Sequence, residues 1–244
     1  MKLKITFLAL LMAGASFAQI QFPQASSKAQ VNQKIGLTTI EVDYFRPNLN
    51  NRTAFGSVVP FGEVWRTGAN NNTTITLDTD VLVEGKPLYK GKYAIYTIPV
   101  EKVWDVIFYK TTDNWGNPQK WDENNIALKV KVPAYKINDK VESFTIGFDE
   151  VNTNNGKLTF AWDNTKAVAT IDVPTKQLVV QSIESQLNDQ SSARDFYGAA
   201  NYYFTNNLDL NKAKQWINKA IEKDPKAPQH FIDLKNKIDL ASKK

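Results

Sequence analysis

YAIYTIPVEKVWDVIFY, Tyr93–Tyr109, is the stretch whose period decides the fold. Tyr93, Ile95 and Thr97 alternate with Ala94, Tyr96 and Ile98, and after Pro99–Lys102 the run Val103–Tyr109 alternates again. A period of two means strands, and apolar groups on both sets mean strands covered on two faces. The two runs read as a hairpin.

The same period extends outward. Ile40, Val42 and Tyr44 share one phase, and Ile75 and Leu77 another. Val81 and Val83 lead into a Glu84-Gly85 turn. Four further strands are expected at Ile126–Val132, Phe144–Phe148, Leu158–Trp162 and Ala167–Val173, separated by turn residues such as Asn154-Asn155-Gly156 and Asp163-Asn164-Thr165. Many short strands without intervening helical patterns predict an antiparallel β-sandwich, and the lack of any repeat argues against a closed barrel.

After Pro174 the period becomes helical. Thr175 is a candidate cap for a helix carrying Val179, Ile183 and Leu187, followed by one from Ser191 to Phe204. A third, capped by Asp209, carries Leu210, Ala213, Ile217 and Ala220 up to Pro225, and a fourth carries Phe231, Leu234 and Ile238. Ala200, Tyr203, Asn207, Ala213, Trp216 and Asp224-Pro225 resemble one tetratricopeptide unit. A single such unit cannot bury a continuous core, so it is expected to dock on the sandwich or on a partner chain.

Lys2 and Lys4, the apolar run Ile5–Ala13 and the small residues Ser16 and Ala18 have the three parts of a secretory signal peptide. The expected layout is a signal peptide over 1–18, a sandwich over 19–174 and a tetratricopeptide-like helical domain over 175–244, in the periplasm or outside the cell. The apolar run is too short to span a membrane, for which about 20 residues are needed. No cysteine is present, which excludes disulfides and zinc-thiolate sites, and loss of Lys2 and Lys4 with the signal would take the formal charge from +5 to +3, too mild for a nucleic-acid partner.

Catalytic chemistry finds few residues to use. The single histidine, His230, lies in the helical tail, so several-imidazole metal sites are excluded. No cofactor is implied. Asp78, Asp80 and Glu84 lack the spacing of a calcium loop. Asp43 and Glu63 leave open a carboxylate hydrolase acting on glycans, although ion pairing with neighbouring arginines is their ordinary role.

The block YFRPNLNNRTAFGSVVPFGEVWRTGAN, Tyr44–Asn70, is the candidate site. Arg46, Arg52 and Arg66 offer planar forks for an anion, Trp65 and Phe61 a stacking wall, and Asn70 and Asn71 amide contacts. In the alternative reading the arginines fasten a long loop to the sheet through backbone carbonyls. Trp115 and Trp121, in DNWGNPQKWDENN, belong either to loop packing or to a stacking platform for sugars. The sequence favours a binding module over an enzyme. Its partner would be a polar or anionic small molecule or a glycan, or a protein held through the helical tail.

Tyr44-Phe45-Arg46-Pro47, Val59-Pro60-Phe61-Gly62, Val64–Asn70, Thr73-Thr74-Ile75 and Gly91-Lys92-Tyr93 together resemble an uncharacterised family of exported bacterial proteins catalogued as a domain of unknown function, DUF2911. The resemblance implies export from a Gram-negative bacterium and supports the layout. It implies no activity.

Overall fold

The computed structural model describes residues 22–243, so the expected signal peptide lies outside the described residues. Nine strands, β1 (Ser27–Ile35), β2 (Thr38–Arg46), β3 (Thr73–Leu77), β4 (Val81–Val83), β5 (Lys86–Leu88), β6 (Gly91–Ile98), β7 (Val103–Tyr109), β8 (Ile126–Asp149) and β9 (Asn155–Asp172), precede four helices. They form an open antiparallel sheet in the order β1-β2-β3-β6-β7-β8-β9-β4-β5. The fold is mainly β and sandwich-like, as the alternation predicts.

The β6–β7 hairpin forms with Ile95 opposite Phe108 and Tyr96 opposite Ile107. Its two faces are both covered. Ile95, Trp104, Val106 and Phe108 enter the main core, whereas Ala94, Tyr96, Ile107 and Tyr109 form a second cluster on the other face beneath Val64 and Trp121. One hairpin therefore anchors two layers of side chains.

Two expectations fail in instructive ways. The four expected late strands are two long ones, because β8 continues through residues 134–143 and β9 through Asp163-Asn164-Thr165. β8 pairs with β7 over 126–133 and with β9 beyond Ala134, with breaks in register between Lys136 and Thr145. Such bulges bend a strand without ending it, which lets one sheet fold over itself. β1 carries too little apolar alternation to be found from sequence; it is an edge strand held by nine paired positions on β2.

α1 (Thr175–Gln186), α2 (Ala193–Thr205), α3 (Leu210–Lys223) and α4 (Gln229–Ala241) follow. Ser192 and Asp195 form a reciprocal capping box on α2, and Asp209 caps α3 as expected. Thr175 does not cap α1; its hydroxyl donates to the Thr153 carbonyl instead. The tetratricopeptide-like pair α2–α3 closes its core with α1 and α4, since every member of that cluster lies between Val180 and Ile238. The helical unit therefore shares its core with the helices on either side of it. Among the described residues no helix is long and apolar enough to cross a membrane, which leaves membrane-crossing strands unaddressed.

Asp105 on β7 meets Lys131 at 2.9 Å and Lys129 at 3.0 Å on β8. Burial pushes its carboxyl up, but hydrogen bonds and charge from the two lysines outweigh that and hold it below the ordinary value. The pair therefore stabilises the fold fully above the usual carboxylate range and loses that contribution as pH falls through the lowered value. Asp105→Asn is expected to lower stability at pH 7 and to flatten the loss of stability below about pH 4, read by chemical denaturation across a pH series.

Candidate functional site

The arginine-rich block leaves the end of β2, crosses to β8 and returns along β6. Leu49 N–H donates to the Glu142 carbonyl and Phe144 N–H to the Pro47 carbonyl, so the block begins as a short pairing with β8. Arg46 fastens this crossing, with Nε donating to the Phe144 carbonyl at 3.0 Å and Nη2 to Thr145 Oγ1 at 2.7 Å. Arg52 bonds the carbonyls of Leu49 and Asn48 at 2.8 and 3.0 Å. Arg66 Nη1 donates to the Asn70 carbonyl at 3.0 Å, and Asn70 Nδ2 reaches Gln24 at 2.9 Å.

Trp65 turns inward. Its backbone exchanges both hydrogen bonds with Thr97 on β6, at 2.8 and 2.9 Å. Its indole stacks on Trp162 at 5.8 Å and 13°, meets Phe144 at 4.9 Å, and donates Nε1–H to the Gly68 carbonyl. Phe55 fills the space beside it, 4.8 Å from Trp104 and 5.9 Å from Trp65. The block therefore supplies core as well as surface.

The five residues expected at the site fall into two groups. Trp65, Arg66 and Asn70 lie together through the Arg66–Asn70 bond, while Arg46 and Arg52 serve the crossing to β8. The expected ion pairs with Asp43 and Glu63 are not formed among the described residues. Asp43 faces Lys28 at 3.3 Å across the β1–β2 pair, and Glu63 is exposed. Backbone carbonyls offset the desolvation of the guanidinium groups instead. His230 sits edge-on to Tyr197 at 4.9 Å in the helical tail. No cluster of three acidic or histidine side chains that could hold a metal occurs among the described residues.

Sequence reasoning missed a cleft of about 620 Å³ at the end of the sheet where the β6–β7 turn, β8 and β9 meet. The block contributes Thr53, Phe55 and Phe61 to it, and none of the five expected residues lines it. Phe61, Val100 and Tyr135 are exposed there. Glu101, Lys102 and Lys136 also line it, and none of the three enters an ion pair among the described residues. Asp163 holds the rim, accepting from Ala54 N–H at 3.1 Å. Gly56 lies flat against the Phe61 ring at a φ of +85°, and a Cβ there would come within 2.9 Å of that ring. The only sequence signal for the cleft is Phe61 in a turn; Tyr135, Lys136 and Lys102 are brought to it by the fold.

The other half of the block seats the loop before β8. Asn72 N–H donates to the Asn114 carbonyl at 3.2 Å, and Asn117 Nδ2 to the Val64 carbonyl at 2.8 Å. Tyr96, whose phenol burial pushes up in pKa, donates to the Gly116 carbonyl at 3.2 Å. The carboxamide of Asn72 itself is buried with neither polar atom partnered.

These features define a mainly antiparallel β domain with appended helices, whose longest loop is built into its core and rims a cleft. Residues 26–171 match the model of a family described as Protein of unknown function (DUF2911), and the chain belongs to that family. No curated protein and no solved structure matches it.

Two substitutions separate fastening from the rest. Arg46→Ala removes two charge-assisted bonds and leaves a carbonyl unpaired, so it is expected to cost about 2–4 kcal/mol in denaturant unfolding, with Arg46→Lys recovering little because a single ammonium cannot reproduce the fork. Asn72→Leu replaces two unpartnered buried polar atoms by methyl groups on the same branched skeleton and is expected to raise the melting temperature by about 2–4 °C.

Proposed function

We propose that this protein is an exported binding module that takes an anionic organic ligand with an apolar face in the cleft between Phe61, Tyr135, Lys102 and Lys136. The observation that carries this reading is the placement, in one concave site that Glu101 and Asp163 also line, of two lysines outside every ion pair among the described residues and beside exposed aromatic rings. An ammonium without a protein carboxylate is available to a ligand's carboxylate, sulfate or phosphate, and the rings and Val100 cover its apolar face. An acidic sugar has both parts. Thr53, Asn164 and Thr165 add polar contacts for hydroxyl groups.

Arg46, Arg52, Trp65, Arg66 and Asn70 act in this reading as positioning residues. They hold the block so that Phe61 stands at the rim, which joins the two alternatives that the sequence left open. Export is supported by the basic, apolar and small-residue segments of the first 18 residues.

A thermal-shift screen of the full chain against uronic acids, sulfated sugars and sugar phosphates tests the proposal. A ligand at 100 times its Kd is expected to stabilise the wild type by about 2.7 kcal/mol, a rise of roughly 5–10 °C. The Lys102→Gln/Lys136→Gln variant, unchanged in its own melting temperature, should lose most of that rise. A shift that survives both substitutions would place the ligand elsewhere.

A further inference from the structure

A second concave surface stands apart from the cleft. It is built from the Asp113–Lys120 loop and has a volume of about 440 Å³, with Trp115, Asp113, Asn114, Asn117, Gln119 and Asn125 in its wall. Trp115 is 66% exposed, in a chain that buries Trp104 and Trp162 completely. A lone exposed apolar side chain is ordinary on a protein surface. Two further observations set this one apart.

The loop that presents it is fixed. Asn114, Gly116 and Asn117 are each hydrogen-bonded to the strand and block beneath, through Asn72, Tyr96 and Val64. Gly116, at a φ of +81°, lies so close to Arg66 that a Cβ would meet Nη1 at 2.6 Å. This approach gives Arg66 its place under the loop. The indole is thus held out on a rigid support, and a binding surface ordered in advance avoids the entropy cost of forming on contact.

The pocket that the ring lines also holds amides and a carboxylate with unused capacity. Asn117 spends Nδ2 on Val64 and Asn125 spends Nδ2 on Asp122, which leaves both Oδ1 atoms as acceptors. Asp113 and Gln119 make no side-chain bond within the protein among the described residues. A flat apolar face ringed by outward acceptors and donors complements a sugar ring, which carries C–H groups on its face and hydroxyls at its edge. By contrast, the surface offers an acidic group no net attraction, since one carboxylate, Asp113, and one ammonium, Lys120, both line it.

We infer that the Trp115 pocket is a carbohydrate subsite, in which a neutral saccharide stacks on the Trp115 indole and its hydroxyls bond to Asp113, Asn117, Gln119 and Asn125. It is independent of the cleft at Phe61 and Tyr135 and takes a different chemical class.

Native gel electrophoresis of the full chain through gels containing hydroxyethyl cellulose, xylan, glycol chitin, laminarin or mannan tests it directly. At least one polysaccharide is expected to retard the wild type. Trp115→Ala should weaken that retardation at least tenfold in apparent Kd while keeping the wild-type melting temperature, because the side chain is exposed and the loop is held by its backbone. Trp115→Phe should recover part of it, and Lys102→Gln/Lys136→Gln should leave it unchanged. Mobility unaffected by all five polysaccharides, or retardation undiminished in Trp115→Ala, would overturn the inference. So would concentration-dependent self-association that is lost in Trp115→Ala without any retardation, which would make the indole a contact between copies of the chain.

Discussion

Trp65 stacks on Trp162 while its backbone exchanges both hydrogen bonds with Thr97, and this double hold organises the fold around a loop. Phe55 is buried and the half-buried Trp65 indole packs against the same core, next to Trp104 of β7, Phe144 of β8 and Trp162 of β9. Aromatic side chains of this size dominate the burial energy of a core. A segment without regular period is therefore part of the packing that the strands depend on, and its ends are set by where those two rings must go.

Bringing a long loop across a sheet leaves carbonyls to satisfy, and here the arginines meet that need. Arg46 and Arg52 bond carbonyls at the crossing to β8, and Arg66 bonds its own segment at Asn70. A guanidinium presents several donors in one plane, so one side chain can join two strands that share no ladder. The aromatic and arginine contacts act together. Trp65 fixes depth, and Arg46 fixes the register between the end of β2 and β8. The rim of the cleft and the seat of the Trp115 loop are two consequences of the same clamp.

Particular residues show how far sequence could be read. Tyr93–Tyr109 declares a strand pair covered on two faces, because both phases carry large apolar groups, and the structure gives each phase its own cluster. The helical tail was equally legible in the run from Ser191 to Phe204, in Asp209 and in the stripe through Ala213, Ile217 and Ala220. The Asp163-Asn164-Thr165 turn was misread because those residues continue β9 opposite the bulged stretch of β8 between Lys136 and Thr145, and a left-handed Asp163 is tolerated there without a break. β1 escaped notice since an edge strand can hold itself by backbone pairing with few apolar residues.

Composition and period by themselves determined the mainly antiparallel β domain, the four helices and the absence of thiol chemistry, because burial periodicity is a local property of the chain. The special character of Tyr44–Asn70 was also visible, as a concentration of arginine, tryptophan and turn residues. Tertiary structure alone decided what those residues do. Whether Trp65 faces solvent or Trp162, whether Arg46 meets an anion or the Phe144 carbonyl, and whether Phe61 and Tyr135 share a cleft all depend on contacts between segments about 75 to 100 residues apart. Such contacts are set by how one sheet folds over itself, and no local pattern records that bend.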